Sequence, residues 1–186
     1  MRRSAEEAKA RILQAAQAEF ARYGVTGARI DRIAREAGAS KERLYAYFGD
    51  KQGLFDEVIR AATEHVYNAV RIEEGDLIAY TGSLVEHFFA HPDDLRMLNW
   101  TRLEEQCERA LTLDAVTAHH AQKAAAVRRA QEAGLVDPVW HPDELLQLIL
   151  VTATYWASAS GSSAESPARY RSVAEEAVRR LIEPKR

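Results

Sequence analysis

A chain of 186 residues that is 47% apolar, with one cysteine and a formal net charge of −3, suits one ordinary domain or a small domain fused to a larger one, and is too apolar for disorder. No apolar run reaches the roughly 18 residues of a membrane span; the longest, LLQLILVTATYWASA, is short and interrupted by threonines. The arginines of MRRSAEEAKARIL lead into no apolar stretch, so no secretory signal is expected. The lone Cys107 allows neither an internal disulfide nor a cysteine-rich zinc site, and a reducing cytoplasm is the expected compartment. Charge is unevenly spread: residues 1–51 hold eleven Lys/Arg against seven Asp/Glu, a balance of +4, and residues 52–186 hold fourteen against twenty-one, a balance of −7. A basic head on an acidic body suits a head that meets an anion.

In chain order, almost everything reads as helix. SAEEAKARILQAAQAEFARYG opens with Ser4 and Glu7 at capping-box spacing, carries Ile12, Ala16, Phe20 and Tyr23 on one stripe, and ends at Gly24. RIDRIAREAG is a short second helix with Ile30, Ile33, Ala34 and Ala37 on one face and Gly38 closing it. Ser40 caps a third, in which Leu44 and Phe48 sit four apart. Asp50 caps a fourth, running through Leu54, Phe55, Val58, Ile59, Ala62, Val66 and Val70 to EEGD. Five more follow: residues 76–90, a helix begun by Pro92 with Asp93 and Asp94 at its positive end, an alanine-rich stretch from about Arg109 to Ala133, a helix begun by Pro142, and a last one from Pro167. No strand pattern, repeat or low-complexity tract is present. The expected fold is all-α, with a three-helix head at 1–49 joined through the fourth helix, from 50, to a six-helix body at 50–186.

The second and third helices are separated by a turn of about three residues containing Gly38, the spacing of a helix-turn-helix. Held inward by Leu44 and Phe48, the third helix projects its other face outward and fits a DNA major groove. Lys41, Glu42, Arg43 and Tyr45 lie at or near its N-terminal turn, where such helices meet base edges. Arg43 suits a bidentate contact with guanine, and Glu42 can accept from a cytosine amine. Lys51 begins the next helix, where free N–H groups also favour phosphate. The alternative is the solvated polar face of a small bundle.

The stretch GARIDRIAREAGASKERLYAYFGDKQGLFDEVI resembles the DNA-binding signature of the TetR family of transcriptional regulators. The matching positions are Ile33–Ala34, Ala37–Gly38, Ser40–Lys41, Leu44–Tyr45, Tyr47–Phe48, Lys51 and Leu54, and the likeness covers residues of about 10 to 60. The resemblance implies a homodimer that binds a double-stranded, palindromic operator and is released by a small-molecule effector. It implies phosphate contacts from Tyr45, Tyr47 and Lys51 and base reading by Lys41, Glu42 and Arg43; Arg29 and Ser40 complete the expected DNA-binding set. Two departures stand out. Glu42 replaces a frequent Gly, which puts close backbone approach in doubt there, and Ala28 and Arg29 replace Thr or Ser, so Arg29 would reach phosphate as a longer charged arm.

In the body, aromatic and polar side chains suited to lining an effector cavity are Tyr67, Tyr80, His87, Phe88, Trp100 and Tyr155, each of which can equally be core. The Pro142 helix is apolar nearly all round, and the last helix bears an apolar stripe. The resemblance places the dimer interface on these two helices, with Leu146, Ile149, Leu150, Ala153, Val173, Ala177, Val178 and Leu181 as the expected contacts. His87 and His91 have metal-ligand spacing but no third ligand in the sequence, so no metal and no cofactor are expected. Phosphate loops, nucleophile elbows and His-Glu-x-x-His motifs are absent, and pairs such as Glu104–Glu105 read as solvated helix faces, which leaves a small helical enzyme a remote alternative. A constitutive or architectural DNA binder without a ligand is the nearer one.

Overall fold

The computed structural model describes residues 2–103, 114–159 and 166–184. These form nine helices: α1 (Arg2–Gly27), α2 (Ile30–Glu36), α3 (Lys41–Phe48), α4 (Lys51–Ala69), α5 (Leu77–Ala90), α6 (Pro92–Leu103), α7 (Asp114–Glu132), α8 (Pro142–Ala159) and α9 (Pro167–Ile182). No strand occurs among the described residues. Glu104, Glu105, Cys107 and the first part of the predicted 109–133 helix lie outside them. No described helix is long and apolar enough to cross a membrane. The chain divides into two compact units, Met1–Glu64 with Arg96–Leu113, and His65–Leu95 with Asp114–Arg186. The fourth helix, expected to open the body at residue 50, therefore contributes residues to both.

In the first unit, the stripe predicted on α1 forms the core except for Tyr23, which is exposed. Ile12, Ala16 and Phe20 are buried with Ile33 and Ala34 of α2, Leu44 of α3, Leu54, Phe55, Val58 and Ile59 of α4, and Met97 of α6. The Phe20 ring meets the Phe55 ring edge-on at 5.2 Å. Gly24, at φ 65°, breaks α1 where the sequence ends it. Gly38, at φ 60°, supplies the left-handed residue between α2 and α3. The following Ala39 N–H reaches back to the Ala34 carbonyl at 2.9 Å, which satisfies an end of α2. Asp50 accepts from the Gly53 N–H at 2.7 Å and opens α4 as expected. A Cβ at Gly53 would stand 2.2 Å from the Phe48 carbonyl oxygen, so α4 starts this close to the end of α3 only because residue 53 is glycine. Glu57 accepts from Lys9 at 3.0 Å and from Arg60 at 2.8 Å, linking α4 to α1.

In the second unit, α5 packs against α8 and α9, and α8 also meets α7. Asp76 caps α5 by accepting from the Ile78 and Ala79 N–H groups. Leu77, Leu84, Val85 and Phe88 of α5 are buried together with Leu145, Ile149 and Ala153 of α8 and Ala174 and Val178 of α9. Tyr170 stacks between Phe89 and Trp156, with centroids 5.7 and 5.0 Å away. Trp140 donates to the Leu181 carbonyl at 2.9 Å, fixing the α7–α8 connection to the end of α9.

This packing divides the residues expected at the contact face of the last two helices. Ile149, Ala153 and Val178 are 0% exposed and Leu146 is buried, so these four are used within their own chain. Leu150 and Leu181 are half-buried, and only Val173 and Ala177 of the expected set are exposed. The apolar side chains that reach the surface of α8 are instead Leu148, Val151 and Tyr155, at 38%, 50% and 60% exposure. They are spaced to share one helix face.

Gly38 and Gly53, both in the first unit, separate strain from clash. At Gly38 a Cβ meets nothing within 4 Å, so Gly38→Ala should cost only the left-handed backbone term, about 1–2 kcal/mol, and Gly38→Asn less. Gly53→Ala forces a Cβ onto a backbone carbonyl and should cost more, about 1–3 kcal/mol of overpacking with a displaced helix start. Urea-unfolding midpoints of the three variants at constant slope check the order.

Candidate nucleic-acid interface and effector site

An eight-residue helix is too short to form alone, and α3 is held by its neighbours. Ser40, in extended conformation, caps it by accepting from the Arg43 N–H at 3.3 Å. Leu44 is 2% exposed and anchors the inner face. The outer face carries exposed Lys41, Glu42, Arg43, Tyr45 and Tyr47. Tyr47 meets Phe48 edge-on at 6.0 Å and is 37% exposed, while Tyr45 is 47% exposed.

The expected DNA-binding residues differ in how committed they already are. Lys41 pairs with Asp31 of α2 at 2.5 Å, and that hydrogen bond and charge hold its ammonium above the ordinary lysine range. Glu42 folds back on the start of its own helix. Its own backbone N–H, then the Ser40 hydroxyl, hold its carboxyl below the usual range. The Lys51 ammonium donates to the Thr26 carbonyl at 3.2 Å, beside the α1–α2 connection. Arg29 is the N-cap residue of α2. Its backbone N–H donates to Glu19 at 2.8 Å, while its side chain is exposed. Among the described residues, no ion pair holds the guanidinium of Arg43 or Arg29.

Arg32 was not singled out by sequence, and it organises this region. Its Nε donates to Glu19 at 2.7 Å, a terminal nitrogen reaches the Gly27 carbonyl at 3.2 Å, and the guanidinium lies 4.4 Å from the Tyr23 ring centroid. Burial pushes the Glu19 carboxyl up, but Arg32 and the Arg29 N–H outweigh it and hold it low.

In the second unit, two of the six effector candidates converge. Tyr67 of α4 and Tyr80 of α5 flank Lys123 of α7, whose ammonium lies 5.7 and 5.1 Å from their ring centroids. His119, one turn before Lys123, stacks on Tyr67 at 3.8 Å between centroids and 7° between planes. Its Nδ1 is buried without a hydrogen-bond partner among the described residues. Burial lowers Lys123 to about 8, and no described carboxylate pairs with it. Burial also pushes the Tyr80 hydroxyl well up. Sequence reasoning missed Lys123, although a signal exists. It shares a stripe with Ala126, Val127 and Ala130, all buried, where a helix facing solvent would not place its alanines and valine.

The other four candidates go elsewhere. Trp100 belongs to the first unit, where its Nε1 donates to the Ala21 carbonyl at 3.0 Å. Tyr155 is exposed on α8, and Phe88 is core. His87 is buried with its Nε2 2.9 Å from Asp94 Oδ2. Residues 12–58 match the family described as bacterial regulatory proteins, tetR family, and residues 76–180 match the tetracyclin repressor-like C-terminal domain. The chain is 40% identical over 156 residues to the HTH-type transcriptional repressor SCO4008 of Streptomyces coelicolor, covering 83% of this chain and 80% of that one. It is 38% identical to the transcriptional regulator SCO4942 of the same organism, whose crystal structure superposes with a TM-score of 0.78 over 94% of this chain and 98% of that one. A TetR-family regulator from Rhodococcus sp. has the same fold at 22% identity, with a TM-score of 0.70 over 96% of this chain and 100% of that one. An exposed recognition helix in a helix-turn-helix, two matching family regions and relatives of nearly equal length agree: the chain belongs to the TetR family and is a DNA-binding transcriptional regulator.

Proposed function

We propose that the protein is a repressor that binds a palindromic operator as a homodimer and leaves it when a small-molecule effector binds in the second unit. The observation that carries this is the outer face of α3, where Arg43, Tyr45 and Tyr47 are exposed above a buried Leu44. Arg43 is the base reader, since Lys41 and Glu42 are engaged with Asp31 and with the helix start. Tyr45, Tyr47, Lys51 and Arg29 contact phosphate, Lys51 exchanging the Thr26 carbonyl for a backbone oxygen. The exposed Leu148, Val151, Tyr155, Val173 and Ala177 of α8 and α9 supply the dimer contact. A two-fold dimer matches half-sites about 34–36 Å apart.

The effector site is the Tyr67–Tyr80–His119–Lys123 cluster. A desolvated ammonium without a described carboxylate, an orphaned ring nitrogen and two aromatic faces suit a flat molecule bearing an acid group. The effector acts only through its different affinity for the two states of the regulator.

Binding of the full-length protein to the DNA upstream of its own gene, against random DNA over a salt series, tests the first part. Preference that survives near-physiological salt is expected, whereas equal loss on both DNAs would count against a specific operator there. Arg43→Ala should relax discrimination at one base pair by about 1–3 kcal/mol, and Lys51→Ala should weaken binding alike on all sequences and lower the salt slope by about one. For the effector site, acidic aromatic metabolites are screened for release of that DNA. Lys123→Met should keep operator binding and lose the response, and failure of every ligand would favour a constitutive binder. The same variant has a signature in stability. The unfolded chain keeps the lysine proton up to about 10.5, while the folded chain loses it near 8. Stability therefore rises with pH between those values, and Lys123→Met should flatten the rise.

A further inference from the structure

The second unit also brings together a cluster that neither DNA binding nor the effector cluster uses. His65 lies on α4, His87 on α5, His91 at the C-cap of α5, and Asp94 in the first turn of α6. Asp94 is buried, and its Oδ2 has two imidazoles on it, His65 Nδ1 at 2.9 Å and His87 Nε2 at 2.9 Å. The His91 ring completes the group through ring contacts, 4.8 Å from His65 and 4.7 Å from His87 between centroids. One nitrogen each from His65 and His91 and one oxygen from Asp94 all lie within 4.8 Å of one another.

That is more nitrogen base than one carboxylate needs. The two hydrogen bonds already on Oδ2 serve Asp94, and a third imidazole adds a donor atom without a described hydrogen-bond partner. Ligand atoms about 2.1 Å from one metal at tetrahedral angles stand roughly 3.4 Å apart. The set, spread over up to 4.8 Å, must contract to reach that spacing, and two of its three members are exposed rings. His65 and His91 are open to solvent and Asp94 forms the floor, so an ion has a path in. The elements also fix the ligands: His91 caps α5, and Pro92 begins α6 directly after it.

We propose that His65, His91 and Asp94 bind one divalent first-row metal ion per chain, of the zinc, cobalt or nickel class, with His87 positioning Asp94 from behind. Two imidazoles and a single carboxylate suit these ions better than magnesium or calcium, which take sets of oxygen ligands. A fourth coordination position faces solvent. His87 holds the carboxylate through Oδ2, as the outer partners of metal ligands do.

The test uses the full-length protein stripped with chelator. Cobalt(II) is followed by its visible d–d absorption, and zinc by calorimetry. One saturable equivalent per chain is expected, with affinity lowered at least tenfold in His91→Ala and in His65→Ala, whose exposed rings can be removed without opening the core. Asp94→Asn should lose binding as well, with helicity measured alongside because Asp94 is buried. For His87, His87→Leu should weaken binding about 10–100-fold, and His87→Gln, which can still donate to Asp94, should recover most of it. Absence of saturable binding would overturn the proposal. So would binding that survives both His91→Ala and His65→Ala but falls with His120→Ala. That result would place the ion at the His120–Asp143–His141 group, whose contacts are 3.0 and 3.5 Å.

Discussion

The reading head depends on one buried leucine and one left-handed residue. A helix of eight residues cannot fix its own conformation in water, because nucleation costs more than so few hydrogen bonds return. Leu44 inserts α3 into the core made by Ile12, Phe20, Ile33 and Phe55, and Gly38 turns the chain so that the insertion is possible. Once Leu44 points inward, the helical period decides the rest. Arg43 and Tyr45, one residue to either side of Leu44, are turned out of the core, while Tyr47, three residues on, flanks the buried face against Phe48 at 37% exposure, so the exposed surface of α3 follows from how the helix is buried.

That surface is already hydrogen-bonded to itself. Lys41 is paired with Asp31, Glu42 with the start of α3, and Lys51 with a carbonyl. Exposed contacts of this kind contribute little to stability, so on the proposed reading Lys51 leaves its carbonyl for a phosphate at small cost. Arg32 is the contrasting case. Three groups hold its guanidinium, and all three belong to α1, so it joins α1 to α2.

The second unit places polar groups where an efficient core would have none. Lys123 sits between two tyrosine rings, a His119 nitrogen has no hydrogen-bond partner among the described residues, and Asp94 is buried under imidazoles. Each costs desolvation. A helical bundle of this size could fill these positions with alanine and leucine, as α8 does along Leu145, Ile149 and Ala153. Retained polar groups in two separate places suit a unit selected for binding small ligands as well as for packing.

The sequence by itself determined the helices and the helix-turn-helix. Caps at Ser40 and Asp50, breaks at Gly24 and Gly38, and the stripe through Ile12, Ala16 and Phe20 are local signals, read within a few residues of where they act. The Leu44–Tyr45–Tyr47–Phe48 pattern carries the family likeness for the same reason. Tertiary structure decided what periodicity cannot say: which side of a two-sided apolar helix faces inward, and which distant side chains meet. On α8, Ile149 and Ala153 went to the core and Val151 and Tyr155 to the surface because α5 and α9 cover only one side of it. Trp100 found a carbonyl 79 residues away. His87 met His65 and Asp94, and Lys123 met Tyr67 and Tyr80, only when separate helices were packed together. A helix fixes the angles between its own side chains. Its neighbours are fixed by burial summed over the whole unit, which no local stretch of sequence contains.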